Sequence, residues 1–323
     1  MDDILDDLSC KDVCCLLVTD AQHDFCEGTL AAPRGLQTAK RLGEMLRQLR
    51  RSGANNLGHA KSGLLKSQTT KIRNCEELTL SSDFGTISLM SEGSGGHDQR
   101  DSTYSWCDLV VFSLDWHPPD HVSFLSSHSA DCMHSICTCA STGINSSARP
   151  AANAALKEAN RSLGLDKAWT VVRSSPGAGN ADAATVRLWP AHCVQGTPGA
   201  KLHRAVQPQV GDLVVFKGSL SSAECFSACG NEDDPTGLVQ VLRSRGVSTV
   251  AVCGFCLDFC VAESAIALRA AGFPNVVVLT DLTVAINEAK QHDSLQYLEA
   301  QQVRCLSLAE FIEERSRLAP AES

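Results

Sequence analysis

The feature that most constrains this chain is a set of five short apolar runs, Val13–Thr19, Leu109–Leu114, Leu213–Phe216, Thr249–Val252 and Val276–Thr280, each continuous rather than alternating. A strand wetted on one face alternates apolar and polar side chains, whereas one covered on both faces reads as an unbroken, β-branched run. Amphipathic stretches of helical period lie between or after these runs, at Leu36–Arg51, Gly237–Arg245, Val261–Ala271, Glu288–Gln301 and Leu308–Arg317, and Gly246 and Gly272 sit where helix C-terminal caps belong. The alternation predicts an α/β fold around a mostly parallel sheet, with its chemistry at the carboxyl ends of the strands.

Two stretches break the rhythm. Residues about 52–105 are polar and Gly/Ser-rich, and residues about 129–185 are rich in Ser, Ala, Gly and Cys, with one helix expected at Ala151–Leu163, between Pro150 and Gly164. Read as insertions, they leave roughly 210 residues, the size of one domain, so a single domain spanning 1–323 is expected. Its 43% hydrophobic residues suffice for a core. The net charge of −9, with no basic cluster, argues against nucleic acid or anionic lipid as a partner. The acidic start lacks the basic and apolar segments of a signal peptide, so the 16 cysteines are expected to be reduced thiols in a cytoplasmic setting. No apolar run approaches the roughly 18 residues of a membrane span. A soluble protein with a small-molecule or protein partner is expected.

Each strand end carries a reactive candidate. Asp20 follows the first run and can act as a proton acceptor or cap a turn. After the second, Asp115, His117 and His121 in Asp-Trp-His-Pro-Pro-Asp-His offer oxygen and imidazole nitrogen, donors for zinc, iron or manganese, although a hydrogen-bonded loop reads alike. His192, in Trp189-Pro-Ala-His, is the candidate for a further ligand, with Trp189 beside it as one wall for a flat ring. Lys217 closes the third run, where a lysine either points to solvent or holds a carboxylate ionised. Cys260 follows Gly254 at the start of helical periodicity; the helix N-terminus is expected to lower its pKa, though a cysteine there also reads as a small buried hydrophobe. Cys132-Met-His-Ser-Ile-Cys-Thr-Cys139 has metal-ligand types without a standard spacing, and Ser94-Gly-Gly lacks the context of a phosphate loop.

Five segments in order, Asp20-Ala-Gln-His-Asp-Phe25, Asp115–Phe124, Trp189–Ala200, Phe216-Lys-Gly218 and Gly254–Val261, resemble the isochorismatase-like cysteine hydrolases, and the second and third resemble nicotinamidases in particular. The resemblance implies a three-layer α/β/α fold and a triad of Cys260, Asp20 and Lys217. It implies a divalent metal, zinc first and iron or manganese as alternatives, on Asp115, His117 and His192, with His121 as a neighbour or water-mediated ligand. Phe25 and Trp189 match positions that hold a pyridine ring, and a cis peptide at Phe255–Cys256 would precede an oxyanion hole made by the N–H groups of Cys256 and Cys260. The implied activity is hydrolysis of nicotinamide to nicotinate and ammonia through a thioester, in NAD salvage. Another small amide, carbamoyl or ureido, and a non-catalytic metal or thiol regulator are the alternatives; homo-oligomerisation is left open. The chain departs from the pattern at Cys256, usually alanine, and in Glu224-Cys-Phe-Ser-Ala-Cys229, which normally carries tyrosine and phenylalanine, so a looser lid is expected there.

Overall fold

The computed structural model describes residues 12–51, 87–89, 106–128, 169–174 and 183–318. The helix expected at Ala151–Leu163, the Cys132–Cys139 cluster and Ser94-Gly-Gly lie outside the described residues. The five apolar runs are all strands: β1 (Val13–Thr19), β3 (Leu109–Asp115), β6 (Leu213–Lys217), β7 (Val247–Phe255) and β8 (Asn275–Val284). With β2 (Ile87–Leu89) and β9 (Arg304–Leu306) they form a seven-stranded sheet in the order β2-β6-β3-β1-β7-β8-β9. Every pairing is parallel except that of β2 with β6.

Alternate side chains of each central strand serve opposite faces, as the period of two requires. Leu16 and Val18 of β1, with Cys253 and Phe255 of β7, pack toward Leu42, Leu46 and Leu49 of α2 (Gly35–Arg51), which follows the single-turn α1 (His23–Cys26), and toward Phe311 of α6 (Leu308–Leu318). Cys15 and Leu17, with Val250 and Val252, pack toward Leu238 and Leu242 of α3 (Leu238–Ser244), Leu268 of α4 (Ala262–Ala270) and Leu298 of α5 (Gln291–Ala300). This is the expected three-layer arrangement. Each large apolar side chain so buried contributes about 1.5–3 kcal/mol. Gly246 and Gly272 take the left-handed conformation, with φ of 68° and 87°, that ends α3 and α4.

Four strands were not expected. Both β2 and β9 have three residues, too few to show a period. Strands β4 (Trp169–Ser174) and β5 (Ala183–Leu188) form a separate antiparallel pair within and just beyond the second presumed insertion. Among the described residues no helix is long and apolar enough to cross a membrane.

The fold positions a site because β1 lies at a switch point. The chain runs from β1 to β3 and β6 on one side, then to β7, β8 and β9 on the other, and the carboxyl ends of the strands beside such a reversal are where open α/β sheets place their sites. Gly254, at φ 110°, lets β7 pass β1 there: a Cβ at this position would lie 2.1 Å from the Thr19 carbonyl oxygen. Gly254→Ala is therefore expected to destabilise the protein by about 3 kcal/mol, measured by urea unfolding; a wild-type midpoint would contradict this packing.

Candidate active site

Beyond Thr19 the chain turns sharply, Asp20 taking a φ of 48° while its N–H still donates to the Ser113 carbonyl at 2.9 Å. The turn aims the Asp20 carboxylate across the strand ends. Ser113 Oγ donates to Asp20 Oδ1 at 2.9 Å, and Lys217 Nζ lies 2.8 Å from Asp20 Oδ2. Lys217, from the end of β6, also donates to Asp115 Oδ1, from the end of β3, and its Nζ lies 3.3 Å from Cys260 Sγ. Lys217 and Asp20 have no exposed surface, and Asp115 and Cys260 keep 4% each. Of the two readings open for Lys217, the solvated one is excluded.

A lone ammonium cannot be buried at tolerable cost; one between two carboxylates can. Burial pulls the Lys217 pKa down, but Asp115, Asp20 and the Cys260 sulfur overcome it and hold the pKa well above the ordinary lysine value. Burial pushes Asp115 up, yet Lys217 and His117 keep it well below the usual carboxylate range. Burial raises Asp20 to about 6, Lys217 opposing and Asp115 reinforcing the rise. Here the two carboxylates part company: one stays an anion and the other can hold or release a proton near neutrality.

Cys260 sits in a wide turn, Leu257–Val261, that leads directly into α4. The Cys256 carbonyl accepts from the N–H groups of Phe259 and Val261, at 3.0 and 3.1 Å, and the peptide between Phe255 and Cys256 is cis, as the resemblance implied. Asp258 pins the turn by accepting from Ile286 and Asn287 N–H groups. The expected low thiol pKa is not what the site produces: burial drives Cys260 well above its ordinary value, with Lys217 lowering it and Asp20 and Asp115 raising it. The sulfur rests as a thiol, because burial outweighs the cation 3.3 Å away.

On the other flank of Asp115, its Oδ2 lies 3.5 Å from His117 Nε2 and 4.0 Å from His192 Nε2. His117 Nδ1 donates to the Gly218 carbonyl and His192 Nδ1 to the Pro190 carbonyl, so both rings direct Nε2 toward Asp115, the nitrogen that the neutral ring can offer to a metal. One ligand atom from each of the three residues lies within 4.8 Å of the others, a fit for a divalent cation. His121 stacks on His117 at 4.1 Å, its Nε2 donating to the Ala223 carbonyl and its Nδ1 accepting from Ser123. It stands as a neighbour rather than beside Asp115, and it joins His117 and Glu224 in a second donor group.

Phe25 and Trp189 each lie against a residue of this region. Phe25 packs its edge 5.5 Å from His192, and Trp189 meets Phe259 at 5.1 Å. Phe226, from the segment expected to be looser, packs on Phe259 at 5.5 Å, and Cys225 beside it is buried. His203 stays away from this group, 3.4 Å from Glu27. Sequence reasoning missed four contributors: Gln22, Asp24, Ser113 and Glu224. Asp24 accepts from the Cys193 N–H at 2.8 Å and so holds the loop that bears His192. The available signal was positional, since Gln22 and Asp24 share the Asp20 motif and Ser113 lies two residues, one strand period, before Asp115.

Known proteins resemble this chain in sequence and in fold. The profile of the Isochorismatase domain matches residues 130–310, more than half of the chain, and the chain belongs to that family. The nicotinamidase of Acinetobacter baylyi is 31% identical over 189 residues, covering 57% of this chain and 68% of the relative. In fold, the yeast nicotinamidase solved with the inhibitor nicotinaldehyde aligns with a TM-score of 0.59 at 19% identity, over 91% of this chain and 100% of its own. The pyrazinamidase of Pyrococcus horikoshii, solved in complex with zinc, aligns at 0.50 with 20% identity, over 91% and 99%.

Removing the buried cation would leave two carboxylates facing each other. Lys217→Met is expected to cost about 3–5 kcal/mol near pH 7, measured by chemical denaturation; wild-type stability would contradict the charge arrangement.

Proposed function

We propose that this protein is a nicotinamidase, hydrolysing nicotinamide to nicotinate and ammonia, with Cys260 as nucleophile, Asp20 as proton carrier and Lys217 as the charge that holds both. The observation that carries the reading is the contact of one buried ammonium with Asp20, Asp115 and Cys260 together. The named relatives support the substrate.

Asp20 takes the Sγ proton as Cys260 attacks the carboxamide carbon, which lets a resting thiol react without a standing thiolate. Lys217 stabilises negative charge as it forms on sulfur. The N–H groups of Cys256 and Cys260 hold the oxyanion. Asp20 then passes its proton to the departing nitrogen, and ammonia leaves behind a thioester. In the second half Asp20 accepts a proton from water as that water attacks the thioester, and the released sulfur regains its proton. A carboxyl group with a pKa of about 6 suits both directions of transfer.

Asp115, His117 and His192 would hold the metal, with zinc our first choice: two imidazole nitrogens and a carboxylate oxygen suit it, and the Pyrococcus horikoshii pyrazinamidase was solved with it. When bound, such an ion supplies positive charge able to take the ring nitrogen or to lower the pKa of a water. Phe25 and Trp189 would face the ring. We read the chain as a single domain acting in NAD salvage, in a cytoplasmic, reducing setting that suits the free cysteines among the described residues.

Purified protein is expected to release ammonia from nicotinamide, and Cys260→Ala to lower kcat by about 10⁴-fold or more while keeping its circular dichroism spectrum. Undiminished turnover in the variant would remove the nucleophile, and an inactive wild type that cleaves a ureido or carbamoyl amide would redirect the substrate.

A further inference from the structure

Asp115, one of the three donors in the metal-site reading, has no partner strand on its β1 side. The β1–β3 ladder ends at Thr19↔Ser113, with one last bond from Asp20 N–H, whereas β3 continues to pair with β6 as far as Asp115↔Lys217. Because β1 turns away at Asp20, the N–H and C=O of Asp115 on that side would be left unpaired. Buried backbone groups without partners cost free energy and loosen the position they carry.

The side chain of Gln22 fills that gap. Its Oε1 accepts from Asp115 N–H at 2.8 Å, and its Nε2 donates to the Asp115 carbonyl at 2.7 Å. The second proton of Nε2 goes to the Ala200 carbonyl at 2.9 Å. The residue has no exposed surface, and both donors and one acceptor face matching groups. Among the common side chains only a carboxamide offers this set, and asparagine is one methylene shorter. Gln22 therefore ties three segments together: the β1 exit, the β3 exit and the loop running from His192 to Ala200.

We propose that Gln22 is a positioning residue for the metal site, its carboxamide standing in for the strand partner that β1 withdraws and thereby fixing Asp115 relative to His117 and His192. The inference rests on the metal-site reading given above. It predicts that Gln22 governs metal affinity without touching the metal, as outer groups commonly do.

The test uses the full chain and zinc chloride as probe. Zinc affinity of the metal-free protein is measured by competition with a chromophoric chelator for wild type, Gln22→Glu and Gln22→Met, each checked by near-UV circular dichroism. Both replacements keep the side-chain length; glutamate turns an acceptor toward two carbonyls and methionine offers no donor. Binding weaker by about tenfold or more in a variant with a native spectrum is expected. Wild-type affinity in such a variant overturns the role of Gln22 alone, whereas a wild type that binds no zinc overturns the metal site and this inference with it. Should neither variant fold, wild-type protein labelled with ¹⁵N-glutamine serves: the Gln22 carboxamide signals are expected to be protected from exchange and to shift on zinc addition, and the absence of either overturns the proposal.

Discussion

Everything at the centre of this molecule depends on one buried ammonium group. Lys217 is tolerated at zero exposure because Asp20 and Asp115 share its charge, and Cys260 takes up a further side of the same nitrogen. Remove the cation and the two acids repel; remove either acid and the cation loses most of its compensation. The arrangement is costly to bury and therefore a poor device for stability alone. In the reaction we propose its value is chemical, since the same nitrogen keeps one carboxylate anionic, leaves the other near neutrality and faces the sulfur that would become negative.

The sheet supplies the precision. Four strand ends meet at the switch point, and each delivers one group: Asp20 from β1, Asp115 from β3, Lys217 from β6, and from β7 the turn that bears Cys260. The close passage of Gly254 against Thr19 sets how near β7 comes to β1. β1 leaves the ladder at Asp20, and Gln22 repairs the pairing that this departure breaks. Rigid strands carry the reacting groups, and loops carry the residues around them.

Much of this was legible in the sequence because it follows from periodicity and chain position. Unbroken apolar runs such as Val13–Thr19 require cover on both faces, and a polar residue that ends such a run must appear at a sheet edge, which places Asp20, Asp115 and Lys217 together without coordinates. The convergence of Asp115, His117 and His192 was legible from donor type and from the resemblance. What escaped was either too short to have a period, as with β2 and β9, or dependent on distance. Burial raises the Cys260 thiol even beside a lysine, and no reading of the helix start alone weighs those opposing effects. The bridging role of Gln22 depends on which backbone groups lose their partners, a property of the ladder's end rather than of residue type.

In the reaction proposed, Cys260 sulfur, deprotonated by Asp20 beside Lys217, bonds covalently to the carbonyl carbon of the substrate. Rapid acid quenching during turnover of nicotinamide, followed by peptide mass spectrometry, tests it most directly. The account predicts a pyridine-carbonyl adduct on the peptide bearing Cys260, located on that sulfur and not on Cys256. Ammonia release with no adduct at any time point, or an adduct confined to another thiol, would contradict it.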